Sequence, residues 1–542
     1  MKGNDLWKRY CSFYEKDFSE QLDYNKKRME QYFRKWRNTD LARILCQGNL
    51  KRFQDVPITK YDDYTMLSEF GRKISDTTRR NPKDPGELLK EYYDRISHNI
   101  GSSLDRYMTE PFYLCMKSTG TTGQNKWVAH GETFWKNYAS GVIACALVSC
   151  SDEWGETKLE VGDKCFNMAA PIPYISGWGS WAYQTHFELV PPMKVTDDLQ
   201  DLKKTNSLML KAIRKGEKIA LGGGIGSMFY MICKYFIEPE EFYKEYYRSM
   251  NFGLKKTLLY LKVLQCKISG KERKSIIDFM PLKGVIIGGM EAGLYIDFFK
   301  KEFDLEPLHT YGSTEGGCLM RGDPDRKTDL VPDLRTSYLE FQTEDGEVQD
   351  LDELKRGEVY DLVITPFGSI LFRYDMKDLF RVVDFRDDGM PIFAFEGRRI
   401  TVMQLYSYYL TPNVVVQALS KAGLRSSDKW AVAKVLKPRE HLHFLMEKTW
   451  PYTEKEAENI IFDSLMEVER LVPHRGRTLR DYIADFRIRD PSEVVKVEYL
   501  RPGAFLRYSM TKGKMGAPLG QYKPPKIIPT ERMEIYDTLR SA

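Results

Sequence analysis

Residues 118–126 read Ser118-Thr119-Gly120-Thr121-Thr122-Gly123-Gln124-Asn125-Lys126, small hydroxyl side chains and glycines set directly ahead of a lysine. Gly120 and Gly123 open backbone conformations closed to other residues. Successive N–H groups can then converge on an anion, while the hydroxyls and the Lys126 ammonium add donors and charge. That is polyphosphate chemistry. It is not the P-loop of kinases and GTPases, because the Gly-x-x-x-x-Gly-Lys-Ser/Thr spacing is absent and Trp127 stands where the last hydroxyl belongs. A second segment, Tyr311-Gly312-Ser313-Thr314-Glu315, offers an aromatic face for a base, hydroxyls for a phosphate and a carboxylate able to hold Mg²⁺ through oxygen. In a third, residues 372–382, Asp378 can accept hydrogen bonds from both hydroxyls of a ribose. A fourth, residues 502–526, places Lys523 in a proline-stiffened loop near the chain end. Taken singly, each has an ordinary reading: Tyr311 as core, Glu315 as a surface carboxylate, Asp378 at a strand edge, Lys523 in a solvated tail.

These groups need elements to hold them. Residues 111–116 predict a strand running into the first loop, and the apolar residues 134–150 predict a helix beyond it. Residues 282–289 predict a buried strand ending in Gly288 and Gly289, backed by an amphipathic helix over 292–303. A short strand over 307–310 then empties into the Tyr311 segment. Polar, glycine-rich loops at the carboxyl ends of strands are where such sheets bind ligands. Towards the amino end, residues 6–44 carry Met29, Phe33 and Trp36 at helical spacing, and residues 55–64 read as a short extended piece followed by a helix start. After Gly397 the pattern changes. Residues 430–436 and 441–447 predict a hairpin, Thr453 with Glu456 a capping box for a helix reaching Leu471, and residues 494–500 a further strand. The fold class expected is α/β: a large N-terminal domain of layered sheets and helices over 1–396, and a small mobile C-terminal α+β domain over 397–542.

A chain of 542 residues exceeds what one hydrophobic core supports. Its 82 basic and 77 acidic residues leave a net charge of only +5, without the dense basic stripe of a nucleic-acid binder, so no nucleic acid is expected as partner. Residues 1–9 contain no apolar signal core, and the longest apolar run, 141–150, is too short to span a bilayer; the expectation is a cytoplasmic protein with no membrane partner. Nine scattered cysteines without a C-x-x-C pair predict reduced, mostly buried thiols. His441 and His443 share a strand face, but a metal needs more ligands than that pair.

In their order along the chain the four segments resemble the signature of the ANL adenylate-forming superfamily, and more closely that of the plant auxin- and jasmonate-conjugating acyl-acid amido synthetases. Residues 118–126 resemble the phosphate loop of that family, 311–315 its Tyr-x-Ser-Ser-Glu segment, 372–382 its Tyr-Arg-x-Gly-Asp-x-x-x-Val segment, and 502–526 its C-terminal Gln-Tyr-Lys-x-Pro stretch. Residues 55–64 resemble its Val-Pro-x-x-x-Tyr-Glu-Asp segment. The resemblance implies a nucleotide site of Ser118, Thr119, Gly120, Thr121, Thr122, Gly123, Lys126, Gly288, Gly289, Tyr311, Gly312, Ser313, Thr314 and Asp378. It implies that Ser118, Thr119, Thr122 and Lys126 cradle the β- and γ-phosphates, that Tyr311 stacks on adenine and that Asp378 holds the ribose. By the same resemblance Thr314 and Glu315 serve the α-phosphate and Mg²⁺, Arg398 sits at the interdomain hinge, and Lys523 reaches the α-phosphate. ATP and Mg²⁺ are the implied cofactors, a small carboxylic acid the implied substrate, and an amine (an amino acid) or CoA the acyl acceptor. An acyl-CoA ligase and a nucleotide-binding module without turnover are the alternatives. Two positions depart from the family pattern: Lys377 replaces the glycine before the ribose aspartate, and Ser313-Thr314 replaces Ser-Ser.

Overall fold

The alternation of strand-like and helix-like segments resolves into three main sheets. The computed structural model describes residues 3–46, 50–118, 126–167, 169–197, 202–249, 254–268, 280–289, 292–406, 408–424, 428–471, 478–514 and 525–541. In the largest sheet the strands Glu188–Val190, Lys164–Phe166, Ile219–Ile225, Gly284–Gly288 and Leu308–Ser313 lie side by side in parallel; Gly317–Arg321 and Val331–Pro332 continue it antiparallel. The helix Glu132–Ser149 crosses this sheet, and residues 141–149 are buried on every side. That burial accounts for an apolar run with no polar face.

The second sheet is antiparallel throughout, ordered Val348–Gln349, Ser337–Gln342, Val359–Pro366, Tyr374–Phe385, Pro391–Arg398. The amphipathic helix Phe18–Trp36 lies on it through the residues its spacing singled out, with Trp36 stacked on Phe372 at 3.9 Å between ring centroids. The extended piece before residue 60 joins the same sheet. Thr59 donates its N–H to the Arg373 carbonyl at 2.8 Å, and the Asp375 N–H returns to the Thr59 carbonyl at 2.8 Å.

The third sheet belongs to the C-terminal residues. Trp430–Val435 and His441–Glu447 form the expected hairpin, flanked in parallel by Ile527–Ile528 and Val495–Leu500. The helices Pro412–Lys421 and Glu454–Leu471 bury Val414, Leu419, Ile461 and Leu465 against its Trp430, Val432 and Phe444. Thr453 and Glu456 make the reciprocal cap: the Thr453 N–H donates to Glu456 Oε2 at 2.8 Å, and the Glu456 N–H to Thr453 Oγ1 at 3.3 Å.

Two expectations need correction. Between the first loop and its helix lies a further strand, Trp127–Gly131, paired antiparallel with Phe112–Lys117; its five residues are all buried, so it carries no alternation for a reader of sequence to see. The Tyr311 segment is not a free loop. Its strand runs on through Ser313 before turning, because Ser313 and Gly317 pair across a tight hairpin. All nine cysteines are free thiols, and six of them are buried. Among the described residues no helix is long and apolar enough to cross a membrane.

Candidate nucleotide site

The stem of the first loop is closed by the chain on both sides of it. The Ser118 N–H donates to the Lys126 carbonyl at 2.8 Å, and the Lys126 N–H to Ser118 Oγ at 2.9 Å. Below them the Tyr61 hydroxyl receives the Trp127 N–H at 3.0 Å and faces the Trp127 carbonyl at 3.1 Å. Lys126 projects between two phenols: Nζ donates to the Tyr374 hydroxyl at 3.1 Å and stands 5.2 Å from the Tyr61 ring centroid. Burial pushes its ammonium below the ordinary lysine range. The Glu315 carboxylate opposes that shift, and Arg398 and Lys377 add to it. Those charges, from three distant segments, therefore act on one ammonium.

The Tyr311 segment approaches from the parallel sheet. Gly288 pairs with Thr310 in register, and a Cβ at Gly288 would stand 3.1 Å from the Thr310 carbonyl oxygen, which explains the bare backbone at that strand end. Gly289 follows with φ +93°, a conformation glycine adopts without strain. Beyond Tyr311 the turn is fixed by the Gly316 N–H donating to Ser313 Oγ at 3.0 Å. Thr314 and Glu315 are each 7% exposed. No hydrogen bond or ion pair among the described residues engages the Glu315 carboxylate, which leaves its oxygens available to a cation.

The third component comes from the antiparallel sheet. Two extra residues bulge from the strand Tyr374–Phe385, since Asp361 faces Leu379 while Val363 already faces Asp375. Within the bulge Lys377 takes φ +57°, held by its N–H donating to Asp375 Oδ1 at 2.8 Å. Bulges re-aim side chains, and this one turns Asp378 into the interior, 2% exposed, where Oδ2 accepts the Tyr311 hydroxyl at 2.5 Å. Arg398 Nε lies 3.0 Å from Asp378 Oδ1 as an ion pair, yet Oδ1 has no aligned hydrogen-bond donor. Burial raises the Asp378 carboxyl above the usual range, with Arg398 and then Tyr311 opposing it. The Tyr311 ring packs edge-on to Phe380 at 4.8 Å and leans on Phe395 at 5.5 Å, leaving it partly exposed.

Lys126, Glu315, Tyr311, Asp378 and Arg398 thus meet where the two large sheets abut, with Ser118, Gly288, Gly289, Gly312, Ser313 and Thr314 on the adjoining backbone. Thr119, Gly120, Thr121, Thr122, Gly123 and Lys523 lie outside the described residues. Reading by segment passes over Tyr61, Tyr374 and His130. Both tyrosines stand inside quoted motifs, but only the folded chain sets them beside Lys126. His130 is fully buried, stacked on Phe134 at 3.6 Å, and its Nε2 lies 3.2 Å from the Thr314 carbonyl oxygen. Burial holds its imidazole down to about 3. Among the described residues no group of three or more His, Cys, Asp or Glu could hold a metal. His441 and His443 are taken by other partners, the Arg439 carbonyl at 2.8 Å and the Tyr536 hydroxyl at 2.7 Å.

Residues 330–398, which include all of the antiparallel sheet, match the family model described as the GH3 family central domain. No curated protein matches the chain by sequence. Among solved structures, the chain is similar to the GH3.15 acyl acid amido synthetase in complex with 2,4-DB, at 17% identity and TM-score 0.63, covering 96% of this chain and 93% of that one. It is also similar to 2-hydroxyisobutyryl-CoA ligase in the postadenylation state in complex with 2-HIB-AMP, at 11% identity and TM-score 0.53, covering 96% and 92%. The chain shares its overall fold with these two enzymes.

Proposed function

We propose that this chain activates an organic carboxylic acid with ATP as an acyl adenylate and then transfers the acyl group to an amine. The observation that carries the reading is the meeting of Lys126, Glu315, Tyr311, Asp378 and Arg398 from four separate segments on one spot of an adenylate-forming fold. In the first step the acid's carboxylate oxygen attacks the α-phosphorus and the bond to the β-phosphate oxygen breaks, giving acyl-AMP and pyrophosphate. In the second an amine displaces AMP and gives up a proton. The nucleophile of the first step is already ionised at neutral pH, so the site's work is alignment and charge neutralisation rather than proton abstraction.

Tyr311, wedged against Phe380 and Phe395, presents a ring face for adenine. Asp378 Oδ1, without an aligned donor, accepts from the ribose hydroxyls. Lys126, half-buried between two phenols, and the backbone of residues 118–126 take the β- and γ-phosphates. The Glu315 carboxylate fits Mg²⁺, which characteristically takes one or two protein carboxylates and fills its shell with phosphate oxygens and water. Once bound, the metal ion neutralises charge on the phosphates. Arg398 holds Asp378 in place at the start of the C-terminal unit, and Lys523 is proposed to reach the α-phosphate from that unit, with Gly397 and Arg398 as the hinge between units over 1–396 and 397–542.

The amine is favoured over CoA because the match over 330–398 and the higher TM-score both point to the amide-forming enzymes. The test is to supply ATP, Mg²⁺ and a panel of acids, identify the nucleotide product, and then offer CoA and amino acids in competition. AMP and pyrophosphate are expected, with an amide as final product. ADP and phosphate from a competent acid would refute the acyl adenylate, whereas a thioester without amide would refute only the acceptor.

A further inference from the structure

His130 lies outside every motif yet touches the turn on which the proposed metal carboxylate stands. It sits on the strand Trp127–Gly131, four residues beyond Lys126, with no exposed surface. A carbonyl oxygen only accepts, so a ring nitrogen 3.2 Å from the Thr314 carbonyl carries the proton: His130 is the neutral Nε2–H tautomer, donating. Its Nδ1 is then an acceptor, and it is buried without a partner. Stacking on Phe134 at an interplanar angle of 15° fixes the plane of the ring and hence the direction of the Nε2–H bond. An apolar ring would fill the same space without the cost of an orphaned nitrogen, about 1–3 kcal/mol for a buried unsatisfied polar group. What distinguishes the imidazole here is its one hydrogen bond, and that bond grips the peptide joining Thr314 to Glu315.

We propose that His130 is a positioning residue that ties the phosphate-loop strand to the Thr314–Glu315 turn and so sets the Glu315 carboxylate for Mg²⁺ in the nucleotide complex. The inference rests on the adenylation reading above. Partners that orient a ligand without touching the metal commonly govern metal affinity 10- to 100-fold. A Gln side chain places its NH₂ near the position of Nε2, and an Asn side chain places its NH₂ near that of Nδ1, so the pair separates loss of the donor from loss of the ring.

The experiment compares wild type, His130→Gln and His130→Asn by calorimetric titration with ATP, with and without Mg²⁺, and by electron paramagnetic resonance of Mn²⁺ added to the ATP complex. Expected is a wild-type metal response in His130→Gln. In His130→Asn, Mn²⁺ affinity should weaken about 10-fold or more while metal-free ATP affinity stays within about twofold. Equal Mn²⁺ affinity in all three proteins would overturn the proposal, as would parallel loss of ATP binding with and without metal in both variants, which is the mark of a packing role. Failure of the wild type itself to bind ATP under either condition would instead overturn the adenylation reading, and this proposal with it.

Discussion

Lys377 holds a backbone conformation that L residues enter at a cost of about 1–2 kcal/mol, and it does so beside the proposed ribose carboxylate. The family resemblance expects glycine there, and φ +57° gives the physical reason: the bulge that turns Asp378 inward needs a left-handed residue at its crest. In this chain the position is filled by a cation whose charge reaches Lys126. Two effects of replacing it can be separated. Lys377→Gly should relieve strain and stabilise the protein by about 1 kcal/mol, read as a higher denaturant midpoint, whereas Lys377→Ala keeps the Cβ and should not. Both remove the charge, so both should weaken ATP binding several-fold at low salt and less so at high salt. If the glycine variant is no more stable than the alanine one, the strain is not real.

The elements around residue 397 explain why the change of sheet falls there. Glu396, fully buried, accepts from Arg381 Nε at 2.8 Å on the antiparallel sheet and from Thr411 Oγ1 at 2.5 Å at the cap of the next helix. Gly397 has φ +114°, and a Cβ on it would stand 2.5 Å from Pro412 Cγ. Gly397→Ala should therefore cost about 1–3 kcal/mol through overpacking plus backbone strain. The expected readout is a lowered melting transition with faster proteolysis between residues 396 and 412, and unchanged melting would mean that Pro412 simply yields. The change of sheet was legible in the sequence because the pattern itself changes after Gly397. Strands with their own turn signals, such as 430–435 with 441–447, were legible for the same reason. Trp127–Gly131 was not: a five-residue strand buried on both faces has no period to detect, and it runs straight into an apolar helix.

At the scale of the whole molecule, the candidate site was legible only as fragments. Residues 118–126, 311–315 and 372–382 each hold their chemistry within a few consecutive positions, which makes them readable. Pairings such as Tyr311 with Asp378, 67 residues apart, or Lys126 with Tyr374, 248 apart, exist only in the fold. The same long reach underlies the last expectation. Lys523→Ala should slow acyl-AMP formation by about 10²-fold or more, the order expected for losing a positioned charged donor, with little change in ATP affinity. Retention of full adenylation in that variant, with loss in Lys514→Ala, would reassign the catalytic lysine.

The separation between Lys126 and Tyr374 also has a consequence in time. Ribosomes add about 5–20 residues per second, so the phosphate loop leaves the ribosome about 12–50 seconds before the strand that supplies its tyrosine and its ribose carboxylate. Through that interval the nascent chain holds one wall of a nucleotide site and no opposite wall. On the proposed function, capture of ATP must wait for the antiparallel sheet to be translated, and the arrival of nucleotide then rewards completed folding rather than guiding its early steps.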